Sequence, residues 1–259
     1  MKKLVVIAAF LLLAAVGHAV AAEMTAGEIV AKSWDLFRLA KDERELVRVS
    51  VAYHDGRREE KELTRWTLYE PSGEDKVAIR FSKPALDDGL MLLVWRHPGK
   101  SDDVWLKLPS FAQERRVSTS DQGKYFAETD LTYEDTRQLI GERIGDFEYR
   151  MTGRSGSGWT IEATAKPGVD TAYGKRVFAI DPRYVFTKIE YYAKGGTPIK
   201  TQTNTRVTVD RRGRWRVDQV ELDNHLLKRK TTMKIVERKV DQNISPEVFS
   251  RKFLTGRKR

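Results

Sequence analysis

The residues able to do chemistry are few and scattered. Beyond position 22 the chain keeps three histidines, His54, His97 and His225. They fall in no H-E-x-x-H or comparable metal-ligand spacing, so no metal is expected. Two acidic pairs, Asp87-Asp88 and Asp102-Asp103, have the composition of an acid–base couple or a calcium site. Both stand just before apolar runs, where aspartate ordinarily serves a turn. No G-x-S-x-G or S-x-x-K run supplies a nucleophile. The expectation is a protein that is not an enzyme and carries no cofactor. Trp95, Trp105, Phe126 and Tyr133 remain, as walls of an apolar ligand pocket or as plain core.

The elements that would position such a pocket are legible. Lys2 and Lys3, the apolar run Leu4 to Val16 and the Ala19-Val20-Ala21 site read as a secretory signal peptide over residues 1–22. The run is too short to span a bilayer. Residues 23–259 read as one domain, without a linker, a repeat or a low-complexity segment. The chain has no cysteine, so a hydrophobic core rather than disulfides must hold it. The formal net charge is +10, and residues 194–259 hold 18 Lys and Arg against 7 Asp and Glu. In an exported protein this asymmetry points to an anionic membrane surface, not to nucleic acid, with a solvated strand face as the plainer alternative.

Thr25 and Glu28 form a T-x-x-E capping box ahead of Ile29, Val30, Trp34, Leu36 and Phe37 at helical spacing. After Lys41 the period becomes two. Val47, Val49 and Val51 alternate with polar residues, and Asp55-Gly56 is a hairpin turn. Strand patterns recur up to Arg238, interrupted by a long middle loop and a short helix from Thr132 to Gly141. Serial hairpins of this kind make an antiparallel meander. Ser245-Pro246 opens a closing helical turn.

Three runs carry a family resemblance: DDVWLKLP (102–109), RRVSTS (115–120) and DLTYED (130–135). They resemble the signature of the LolA-like family of outer-membrane lipoprotein-sorting proteins found beside exporters of the resistance-nodulation-division (RND) type. Leu131 and Thr132 depart from it, standing where Phe and Ser are usual. EYYAKGGTPIK (190–200) and LKRKTTMKI (227–235) resemble the family's later hairpin and strand. The resemblance implies a mainly β fold: a strongly curved, incompletely closed antiparallel barrel, with the N-terminal helix and a short central helix covering its concave face.

It further implies a periplasmic carrier for a lipid or lipoprotein acyl chain, partnered by an inner-membrane RND-type transporter. Burying a sixteen-carbon chain is worth about 12 kcal/mol over water, nearly what a bilayer offers, so small changes in lid packing would tune loading and release. The lining expected from this reading is Trp34, Phe37, Val49, Val51, Ile79 and Phe81, with Leu93, Trp95, Leu106, Tyr133 and Val207. Arg115 and Arg116 are expected to latch the lid, together with Glu134 and Asp135 of DLTYED. The alternatives are a lipid-sensing or interaction module on the same fold, and an enzyme acting on lipid or glycan.

Overall fold

The helix signalled by Thr25 is present. In the computed structural model, which describes residues 23–255, α1 spans Ala26–Phe37. Thr25 Oγ1 accepts the Glu28 N–H at 3.3 Å, and Glu28 Oε2 accepts the Thr25 N–H at 2.7 Å. The capping box therefore satisfies two donors that the first turn leaves open. The leader reading for residues 1–22 lies outside the described residues.

Thirteen strands follow among the described residues. Six precede the middle loop: β1 Asp42–Tyr53, β2 Arg58–Leu68, β3 Lys76–Lys83, β4 Met91–Trp95, β5 Asp103–Lys107 and β6 Arg115–Arg116. Seven come after it: β7 Phe147–Ser155, β8 Gly158–Ala165, β9 Lys175–Ile180, β10 Phe186–Tyr192, β11 Pro198–Val209, β12 Trp215–Asn224 and β13 Arg229–Val240. They form one antiparallel sheet in the order β6-β5-β4-β3-β2-β1-β13-β12-β11-β10-β9-β8-β7. Two meanders are thus joined where β1 pairs with β13, Val49 opposite Met233 and Val51 opposite Thr231. The sheet is not closed: β6 and β7 are its two edges. They are also consecutive in the chain, so residues 117–146 must cross from one edge to the other. This crossover carries α2, Tyr133–Gln138.

The concave side holds two apolar clusters. Under the crossover, Phe126, Tyr133 and Ile140 pack on Val47, Val49, Val51, Ile79, Phe81, Leu92 and Leu106 of the first meander. Under α1, Ile29, Val30 and Trp34 pack on Ile161, Phe178, Phe186 and Trp215 of the second. Each buried side chain of this size contributes roughly 1.5–3 kcal/mol. Phe37, at the end of α1, packs against both clusters. Its ring lies 4.8 Å from Trp215 and 6.2 Å from Tyr69.

A third cluster lies on the opposite face and corrects part of the expected lining. Ala78, Met91, Leu93 and Trp105 are covered by Phe249 and Leu254, with Trp95 packed at the margin. These come from the turn Pro246–Phe249, capped by Ser245, and from α3, Arg251–Thr255. Trp95 Nε1 donates to the Phe249 carbonyl at 2.8 Å. Leu93 and Trp95 therefore line no concave surface. In β4, MLLVW, both faces are apolar, because Leu92 and Val94 point to the crossover while Met91 and Leu93 meet the C-terminal segment. A strand without alternation has no readable phase.

Candidate functional site

Between α1, the crossover and the sheet, a cavity of about 100 Å³ remains. Trp34 and Phe37 of α1, Leu131 and Leu139 of the crossover, Val47, Phe186, Ile189, Val217, Val220, Met233 and Ile235 wall it. One end is charged, with Glu45, Arg65, Arg216 and Arg238 in the lining. The register explains that end: Glu45 on β1 stands directly between Arg65 on β2 and Arg238 on β13. Arg65 Nε and Arg238 Nε each reach a Glu45 oxygen at 2.7 Å. Burial alone would raise the Glu45 carboxyl, but the two guanidiniums outweigh it and hold the group below its ordinary value. Arg216 pairs with Glu43 and donates to the Phe37 carbonyl at 2.6 Å. Its guanidinium is pushed down to about 9, chiefly by burial.

A larger space, about 440 Å³, opens between the 96–102, 141–146 and 168–170 segments. Its lining includes the Arg143–Asp102 and Arg176–Glu142 ion pairs. Such walls do not suit an alkyl chain. The smaller cavity is the candidate because its walls are mainly apolar, although Asp135, Gln202 and Asn204 also line it beside the charged end, and its covers are separate pieces of chain.

The crossover is fastened by a buried polar network. Asp135 is 3% exposed and pairs with Lys200 of β11, itself 1% exposed. Asp135 also accepts from Tyr173 Oη at 2.9 Å and from the Thr132 N–H at 2.7 Å, while Thr132 Oγ1 accepts the Asp135 N–H at 3.1 Å. One carboxylate thus caps α2 and ties it to the sheet. Asp130 accepts from Arg229 Nε at 2.7 Å, Thr231 Oγ1 at 2.7 Å and Asn224 Nδ2 at 2.9 Å. The DLTYED run and the KTT of LKRKTTMKI, far apart in sequence, meet here. Glu134 accepts the Ala172 N–H at 2.7 Å and the Thr171 hydroxyl.

Of the cations expected at this latch, both lie exposed on the two-residue edge strand β6: the Arg115 side chain bonds to Tyr133 within DLTYED, and Arg116 pairs with Asp103. The cations that hold the acids are Lys200 and Arg229. Asp102 and Asp103 also do more than shape a turn: Asp102 is buried against Arg143, so the DD pair ties neighbouring loops together. Of the expected lining, Trp34 and Phe37 reach the cavity. Val49, Val51, Ile79, Phe81, Leu106 and Tyr133 are gathered in the packed cluster under the crossover. Val207 is half-buried beside the α1 cluster.

Among the described residues, no group of three or more His, Asp and Glu is arranged to hold a metal, and no helix is long and apolar enough to cross a membrane.

An open antiparallel sheet with its concave face covered by a helix and a crossover defines a LolA-like fold. The chain belongs to a family described as "Uncharacterized protein", whose model matches residues 73–256. An outer membrane lipoprotein-sorting protein domain from Vibrio parahaemolyticus superposes with a TM-score of 0.81 at 20% identity, covering 89% of this chain and 98% of that one. A DUF1329 family protein from Desulfovibrio piger gives 0.78 at 23% identity, covering 87% and 98%. A LolA superfamily protein from Nitrosomonas europaea gives 0.69 at 16% identity, covering 89% and 100%. At these identities the likeness is one of fold. No curated protein matches the chain.

Proposed function

We propose that this protein is a periplasmic carrier for the acyl chain of a lipid or lipoprotein, working with an inner-membrane RND-type exporter. The observation that carries the reading is the cavity of about 100 Å³ between two separable covers and an apolar concave sheet. An engineered cavity of about 150 Å³ takes one benzene, so a sixteen-carbon chain enters only as a cover moves. The crossover is the cover suited to moving. Its hold on the second meander is polar and concentrated at Asp130, Glu134 and Asp135, whereas α1 is held by packed aromatic rings, Trp34 on Phe186 and Phe37 on Trp215. The lipid-sensing alternative shares the cavity and lacks the transfer step. The exporter partnership rests on the family resemblance of the sequence runs.

An anionic membrane surface remains a suitable second partner. Within 194–255 many cations are committed to ion pairs, among them Arg216, Arg229 and Arg238. The β12–β13 turn instead offers exposed Leu226 and Leu227 beside Lys228.

The test is binding of N-phenyl-1-naphthylamine, an uncharged fluorescent probe of apolar cavities. The protein should bind it, and palmitoyl lipids should displace it. Val220→Trp, which places an indole in the cavity, should weaken binding roughly tenfold while the fold persists. Absence of probe binding by the unaltered protein would sink the carrier reading and leave a filled core.

A further inference from the structure

The turn between β12 and β13 is built against its local chemistry. His225 to Lys228 close the hairpin between the paired Asn224 and Arg229. Hairpin turns favour glycine, asparagine or aspartate. Here the tip is Leu226 and Leu227, 56% and 45% exposed, and Lys228 holds a left-handed φ of +49° without being glycine. Residues 224–236 contain four lysines and arginines and no acid. Of the acids at this end of the sheet, Asp130 is taken by Arg229 and Glu221 lies 3.9 Å from Lys230, while Asp223 and Glu128 are exposed.

Asn224 ties this turn to the latch. It is fully buried. Its Oδ1 accepts the Leu226 and Leu227 N–H groups at 3.2 and 2.9 Å. Its Nδ2 donates to Asp130 Oδ1 at 2.9 Å and to Tyr125 Oη at 2.8 Å. A primary amide has two donor hydrogens and one oxygen with two lone pairs, so its capacity is spent. Across the base of the hairpin, Arg229 Nε donates to the same Asp130 oxygen at 2.7 Å. Both ends of one turn thus grip the carboxylate that holds the crossover. The Arg229 side chain is 12% exposed, so an anion can reach it from outside.

We propose that Leu226 and Leu227 insert into the head-group layer of an anionic bilayer, and that Asn224 and Arg229 convert this contact into release of Asp130, so that the crossover opens at the membrane. This rests on the carrier reading, in which the crossover is the moving cover, and supplies its trigger. In the free protein the latch sets the position of the turn. At a bilayer the depth of the two leucines sets it. An amide with no spare bond cannot follow the turn and keep Asp130. A lipid phosphate also offers Arg229 a second anion, in the bidentate geometry a guanidinium favours. The opening is a population shift, driven by contacts that the bilayer makes better with the open state.

The experiment uses the whole protein with mixed phosphatidylethanolamine–phosphatidylglycerol vesicles, and phosphatidylcholine vesicles as the neutral control. Co-sedimentation reads docking. Hydrogen exchange of the Asp130 amide, which donates to Thr231 Oγ1 at 3.0 Å, reads the latch. The protein should bind anionic vesicles at least about fivefold more tightly than neutral ones. Exchange over residues 124–132 should rise about tenfold on binding, with β3 and β4 unchanged. Leu226→Ser with Leu227→Ser alters exposed side chains only, so the melting temperature should hold. It should weaken docking about tenfold and abolish the rise. Asn224→Ser should dock normally, with exchange already fast and not raised further by vesicles. Docking that the double leucine variant keeps, or exchange that stays unchanged on bound vesicles, would overturn the proposal. So would retention by neither vesicle, and the leucines would then be a contact for a protein. None of these readouts uses cargo. Failure of N-phenyl-1-naphthylamine to enter the cavity would remove the carrier reading and leave the vesicle results to stand or fall alone.

Discussion

Asp135→Ala is expected to destabilise the protein by about 3–5 kcal/mol, because it strands the Lys200 ammonium in the interior. Lys200 would keep the Asp130 carbonyl at 2.9 Å and the face of Tyr191 at 4.7 Å, with no counter-ion. The loss should fall first on the crossover. Hydrogen exchange over residues 124–140 should rise before that of β1 and β13, since opening the cover costs less than melting the sheet. The paired change Asp135→Leu with Lys200→Met should recover most of the loss, as buried ion pairs often tolerate apolar replacement. Urea unfolding measures the first effect. A single substitution costing under about 1 kcal/mol would mean that the network is no latch.

Leu92→Asp should be the most damaging change on the concave face. Leu92 is fully buried, and its cross-strand neighbours are Ile79 on β3 and Leu106 on β5. None of these can pair a carboxylate, so a loss above about 4 kcal/mol or failure to fold is expected. Val49 would be a poorer probe. Its neighbour on β2 is Lys61, a buried cation able to meet a new acid. Recovery of soluble Leu92→Asp protein with an unshifted melting temperature would contradict the assigned strand phase.

Period alone predicted much of this architecture. The capping box at Thr25, the alternation of Val47, Val49 and Val51, and the Asp55-Gly56 turn, where Gly56 takes a φ of +88°, are local features, and local chemistry dictates them. Where information is non-local, the chain is silent. MLLVW has no phase because the C-terminal segment buries its second face, and nothing in those five residues announces that partner. The latch was half legible. DLTYED and KTT each stood out, but their meeting through Asp130 and Thr231 depends on β13 lying beside β1 and β12. Lys200 gave no signal of burial, since a lysine two residues into a strand reads as solvated. The Arg65–Glu45–Arg238 row hid for a similar reason: three charges on three strands align only once the register is known. A carboxylate that recurs on the inward parity of β1, at Glu43 and Glu45 ahead of Val47, was the one available hint.

The most direct measurement is native mass spectrometry, with lipid extraction, on protein purified from its own cells. The account predicts an adduct of one acyl-bearing molecule, retained through buffer exchange and recovered by extraction. A bare polypeptide mass that stays unchanged after incubation with lipid vesicles would contradict it, and the concave face would then be a filled core serving an interaction module.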